Sequence, residues 1–195
     1  MTLALKEWHV AAEAIARGEQ VITIRKGGIR EKDFAVERAD PWLYPTWEHE
    51  TADQVKPAWR DELGRSEAAR PADGRIPIRC RCTVVEAWEL TESAPLDALA
   101  DLHLWTSSSV EERLRWRPRK PLRVLLLRAS ALVEPLLLDP SPAYGGCRSW
   151  LELEREPDAD LLVPSLTDEA FERAADDVRS RLERFTTGVA TATPA

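Results

Sequence analysis

The 195-residue chain has one methionine, three phenylalanines, two tyrosines and only three cysteines. So few cysteines, and an odd number, exclude a disulfide-stapled scaffold. Cys80 and Cys82 are two apart and would share one face of a strand. With Cys147 they match none of the usual zinc spacings, so buried or half-buried thiols are expected, and neither a metal nor another cofactor. Long apolar runs are missing too. The most apolar stretch, Leu122 to Leu138, is interrupted by Arg123, Arg128, Glu134 and Pro135. It cannot cross a bilayer as a helix, so no membrane partner is expected. The first residues lack a basic segment followed by an apolar one, which reads as no secretory leader and a cytoplasmic location. The chain has no Gly-x-x-x-x-Gly-Lys-Ser/Thr, no Gly-x-Gly-x-x-Gly, no Gly-x-Ser-x-Gly and no His-Glu-x-x-His. Familiar nucleotide-cofactor, serine-hydrolase and zincin readings therefore have no support.

What is present is a globular balance: 44% apolar and 31% charged residues, with a net charge of −7. This length fits one domain with a core of its own. The acidic balance argues against coating nucleic acid or membrane by bulk charge, but leaves room for a local basic groove. The charge is uneven. Arg113, Arg115, Arg117, Arg119, Lys120, Arg123 and Arg128 form a basic run with no acid, while residues 150–195 carry a net −6. The basic run could contact phosphate or pair with the protein's own acidic C-terminal helix, and both readings stand at this point.

Hydrophobic periodicity orders the elements. Leu5, Trp8, Ala12 and Ile15 form one stripe at helical spacing, with Gly18 as a C-cap. Residues 20–25 alternate like a strand, and Lys26-Gly27-Gly28 forms a turn whose backbone N–H groups could hold an anion. Phe34 to Glu37 reads as a short strand. Residues 60–75 have no sustained apolar pattern and read as a surface loop or insertion. Ile76 to Leu90 and Leu122 to Val133 are long strands, with Leu136 to Leu138 as an extension of the second. Short helices are expected from Ser93 to Leu102 and from Ser108 to Trp116, and a strand from Ser149 to Leu153. A last helix runs from Asp168 to Phe185 with Thr167 as N-cap. This gives a single α+β domain over 1–163, a C-terminal helix over 164–185 packed on it, and a disordered tail over 186–195.

Five blocks are distinctive: Leu5-Lys6-Glu7-Trp8; Gly18-Glu19-Gln20 with Arg25-Lys26-Gly27-Gly28-Ile29; Pro45-Thr46-Trp47-Glu48-His49; His103-Leu104-Trp105-Thr106; and Tyr144-Gly145-Gly146-Cys147-Arg148-Ser149-Trp150. Together, over about residues 3–154, they resemble an uncharacterised bacterial family, domain of unknown function 1802. That resemblance implies no activity. A second pattern, a helix followed by Gly18 and six residues later Arg25 entering a strand, is similar to PUA-like domains of the ASCH and EVE kinds. That similarity implies a small mixed or antiparallel β-barrel or curled sheet with flanking helices, and binding of RNA or of modified bases in DNA. Gln20 and Thr23 occupy the region where ASCH proteins place a lysine and a glutamate, so no catalytic role carries over.

Eight tryptophans make that residue the compositional outlier. Trp42, Trp47, Trp105 and Trp150 lie beside polar residues at strand ends or loops, where an indole can stack a base or seal a core. Glu48-His49-Glu50 is the sharpest chemical cluster. In extended backbone its two carboxylates would point together and could hold Mg²⁺ or move protons. His103 could act as a base or read a ligand edge. The preferred expectation is a PUA-like domain binding nucleic acid or a modified nucleobase. Arg25 and Lys26 would hold phosphate, Trp47 and Trp105 would stack the base, and His49 or His103 would read its edge. Arg128 and Trp150 are further ligand candidates. Two alternatives remain: a metal-dependent hydrolase or nuclease using Glu48, Glu50 and a lysine (Lys26 or Lys56), and a protein-interaction module whose acidic last helix docks a partner or a second copy.

Overall fold

The computed structural model describes residues 2–26 and 39–185. The expected strand at Phe34 to Glu37, the glycines of the Lys26-Gly27-Gly28 turn and the tail over 186–195 lie outside the described residues.

The longest strands are β4 (Ile76–Leu90) and β5 (Leu122–Leu138), paired antiparallel from Ile76 with Leu138 to Leu90 with Leu122. Two register shifts, between Ile78 and Cys80 and between Val84 and Glu86, interrupt the ladder. Such irregularities bend a strand and increase its twist. The helices α3 (Ser93–Ala98) and α4 (Ser107–Arg115) join the pair. On either side lie β2 (Ile22–Arg25), next to β5, and β3 (Trp42–Thr46), next to β4. Next to β3 comes β1 (Thr2–Trp8), parallel to it, and next to β1 comes β6 (Trp150–Leu153), antiparallel. A short β7 (Leu162–Pro164) pairs with β5. The path β2-β5-β4-β3-β1-β6 leaves β2 and β6 at opposite ends. The fold is a mixed α+β arrangement, and the expected barrel is corrected to a sheet that does not close.

The first element departs from its sequence pattern. The stripe through Leu5 and Trp8 predicts helix, but residues 2–8 are strand and the helix α1 (His9–Ala16) begins only after Trp8. The reason is tertiary. As an interior strand, β1 has ladder partners on both edges, and that pairing overrides a weak local preference. Apart from Glu13, every residue of α1 is buried. Val10, Ala11 and Ala14 pack in one core with Trp88, Leu122, Val124 and Phe171. Ala12, Ile15 and Ala16 pack in another with Leu5, Cys82, Leu125 and Leu127. A helix apolar on all sides must be enclosed, and small alanines let strands approach it closely. The turn after α1 requires glycine: Gly18 has φ +71°, and a Cβ there would stand 2.7 Å from the Leu166 Cγ.

The remaining helices are amphipathic. In α5 (Asp168–Glu183), Phe171, Ala175, Val178 and Leu182 are buried, and the Thr167 side chain accepts from the Ala170 N–H. Residues 60–68, expected as loop, form α2 (Arg60–Ala68). Its only fully buried residue is Ser66, so it has no apolar stripe to reveal it.

Candidate functional site

One end of the sheet frames a cavity of about 260 Å³. Its wall is built from the end of β1 (Lys6, Glu7, Trp8), the end of β2 with Arg25 and Lys26, Thr46 at the end of β3 with Glu48 and His49 beyond it, Arg113 and Trp116 at the end of α4, and Gly146 to Ser149 before β6. Among the described residues, Lys6, Arg25, Lys26, Arg113 and Arg148 face two lining carboxylates, Glu7 and Glu48. In a chain of net charge −7 this is a local reversal of sign.

Four of the five cations are held in place, and Arg148 is exposed. The Lys6 ammonium donates to the carbonyls of Tyr144 (2.8 Å) and Gly146 (3.1 Å). Its pKa lies below the ordinary lysine value because burial penalises the charge, an effect that Glu48 opposes. Lys26 donates to the Leu114 carbonyl, at the C-terminal turn of α4 where a helix favours a cation, and burial lowers its pKa as well. Glu7 is buried. Its Oε2 accepts from the Thr23 hydroxyl and pairs with Arg25 at 3.2 Å, while its Oε1 accepts from the Trp8 N–H. Arg113 lies 4.3 Å from the Trp105 ring centre and 5.8 Å from that of Trp8, and the two indoles meet edge to face at 4.8 Å. Burial brings the Arg113 pKa down to about 10. Among the described residues, Lys6, Lys26, Arg113 and Arg148 have carbonyls, rings or solvent beside them and no carboxylate at ion-pair distance. A buried cation without a counter-charge gains from any anion that enters.

Of the sequence candidates, Arg25, Lys26, Glu48 and His49 line this cavity. The expected pair of carboxylates is not formed. His49 has φ +67°, a left-handed turn that breaks the strand alternation. Glu48 therefore faces the cavity, while Glu50 turns inward, accepting from the Val10 N–H (3.0 Å) and the Ser66 hydroxyl (3.2 Å). Glu50 thus binds the first turn of α1, and burial raises its pKa. His9 joins the same network through Ser66 at 2.8 Å. Among the described residues no group of three His, Cys, Asp or Glu side chains could hold a metal ion.

The other candidates lie elsewhere. Trp105 is 1% exposed and sits behind Arg113, closed off from any ligand. Trp150 is a core residue. Arg128 pairs with Asp168 and covers the Phe171 ring, so this part of the basic run serves the acidic helix. His103 is buried, its two ring nitrogens have no hydrogen-bond partner by geometry among the described residues, and its pKa falls to about 3 mainly through burial. Trp47 stacks on His9 with ring centres 4.5 Å apart and donates its indole N–H to the Ser66 carbonyl. It lines a neighbouring cavity. Lys56 donates to the carbonyls of Ala100 and His103.

The residues the sequence reading missed are Lys6, Glu7, Trp8, Trp116 and Arg148, while Arg113 was named only within the basic run that could contact phosphate. Most had a signal. Lys6, Glu7 and Trp8 belong to the first of the five distinctive blocks and Arg148 to the last, and Arg113 and Trp116 fall at the start of the basic run. Four blocks supply cavity-lining residues, and the fifth supplies Trp105 directly behind Arg113. No curated protein and no solved structure matches the chain. The family described as "Domain of unknown function (DUF1802)" matches residues 4–177, and the chain belongs to that family.

Proposed function

We propose that this protein binds a nucleotide-bearing ligand, nucleic acid or a modified nucleobase with its phosphate, in the cationic cavity. The observation that carries the reading is the set of five cations around one opening, four of them held in place, with one buried ion pair among the described residues. A phosphate there would gain charge-assisted hydrogen bonds, each worth roughly 1.5–3 kcal/mol. Trp116, 40% exposed at the rim, offers an indole face for a base. His49, also at the rim, is placed to read a base edge. Within this cavity the stacking role expected for Trp47 and Trp105 passes to Trp116, with Trp8 as part of the wall. This is the ligand class that the PUA-like similarity implies, carried here by a sheet that stays open. A hydrolase built on paired Glu48 and Glu50 is the weaker reading, because those carboxylates face different parts of the molecule.

The test is to titrate short single-stranded and duplex oligonucleotides while following tryptophan fluorescence at two salt concentrations. Quenching that weakens with salt is expected. Arg148→Gln, a change at an exposed side chain, should lower affinity about tenfold. An absence of any response at low salt overturns the reading.

A further inference from the structure

The cationic cavity has a neighbour of about 180 Å³, lined in part by Trp47, Tyr44 and Arg70. The two share three lining residues, Lys6, Thr46 and Glu48. Between them passes the backbone of residues 145 and 146, with Gly145 on one side and Gly146 on the other. The Lys6 ammonium, anchored to the carbonyls of Tyr144 and Gly146, therefore stands on the ridge where the cavities meet. The second cavity has its own ring platform. Trp47 is fixed by stacking on His9 and by its bond to the Ser66 carbonyl. The guanidinium of exposed Arg70 lies 5.8 Å from the Trp47 ring centre.

Each side of the ridge thus offers an indole and an arginine, and the ridge itself carries a cation. That repeat has the chemistry of a nucleotide chain, in which bases alternate with phosphates. We propose that the ligand is a single-stranded oligonucleotide that crosses the ridge, with one nucleotide in each cavity and the phosphate joining them at Lys6. This rests on the nucleotide reading above. It adds that a single nucleotide fills only half of the site, and that a rigid duplex cannot pass both walls.

The experiment compares affinities for a 5′-phosphorylated mononucleotide, dinucleotide and tetranucleotide, in ribo and deoxy series, with wild type and Arg70→Ala. The wild-type protein should bind the dinucleotide about tenfold or more tighter than the mononucleotide, with a smaller gain at four. Arg70→Ala should remove most of that gain and lower mononucleotide affinity by a much smaller factor. Equal affinity for mono- and dinucleotide, a neutral Arg70→Ala, or tighter binding of duplex would each overturn the two-cavity proposal while leaving the nucleotide reading in place. If no member of the series binds at low salt, the nucleotide reading fails and this proposal with it. Circular dichroism of Arg70→Ala checks that the variant is folded.

Discussion

Arginines around α5 and cations around the cavity are treated in opposite ways by the same chain. Arg181 is bracketed by Asp101 and Asp177, and Arg179 by Glu86, Glu172 and Asp176. Arg128 has Asp168. At the cavity, among the described residues, Arg25 alone has a carboxylate at ion-pair distance, Glu7. Paired charges at a surface contribute little, about 0.2–1 kcal/mol each, and mainly fix where a helix docks. Buried cations held by carbonyls and rings weaken the fold and persist where something else completes them. The contrast separates charge that organises the molecule from charge that awaits a partner.

Acid should act on two buried histidines and on the α5 ion pairs at different pH, and with the largest effect. His9 has its pKa lowered to about 4 and His103 to about 3, both mainly by burial. The unfolded chain protonates these rings near pH 6.5, so their neutral burial stabilises the fold above that pH. The stabilisation is lost as pH falls towards the folded values, at about 1.4 kcal/mol per pH unit for each histidine. Raised Glu50 acts in the opposite direction. Asp101, whose pKa Arg181 lowers, begins to lose its contribution only as pH falls below the ordinary aspartate range. Denaturant melts from pH 7 to 4 should therefore weaken already between 6.5 and 5. A midpoint that holds until pH 4 would assign acid sensitivity to the α5 ion pairs instead.

Arginine substitutions sharpen the same contrast. Arg113→Gln should reduce oligonucleotide affinity by about 10- to 100-fold. Arg181→Gln should leave affinity unchanged and reduce stability by about 1 kcal/mol. Comparing fluorescence titrations with thermal melts checks both, and equal losses of affinity in the two variants would erase the distinction. The smallest expected effect is a gain. Glu48 is the exposed carboxylate at the ridge, acting on Lys6 in place of a ligand anion. Glu48→Gln should strengthen phosphate binding by roughly threefold, and weaker binding would mean that Glu48 helps to hold the ligand.

The sequence pattern was clearest where a residue's neighbours agree with its own period. The β4 strand begins and ends where alternation predicts, and α5 begins after the predicted cap at Thr167. It was least clear where tertiary partners decide. Leu5 and Trp8 keep helical spacing on a strand because β3 and β6 bind β1 on both edges. Helix α2 buries almost nothing, so it carries no stripe. At the site, Arg25, Lys26, Glu48 and His49 were legible because they stand next to turns. Lys6 was not, and Arg113 did not stand out from its basic run, since a cation on a strand or helix reads as solvated until its neighbours are known. Glu50 misled because a single residue with positive φ, His49, reverses the side on which everything after it points.

The place of β1 in the sheet also sets an order of events. It is the first strand of the chain, yet its antiparallel partner is β6, at residues 150–153. A ribosome releases β1 and α1 long before that edge strand exists, and contacts so distant in sequence are slow to form. During synthesis the nascent chain therefore carries an open strand edge and an apolar helix with no cover. The same closure that brings Lys6 beside Gly146 ends that exposure, so the cavity is completed in the step that makes the young protein safe from aggregation.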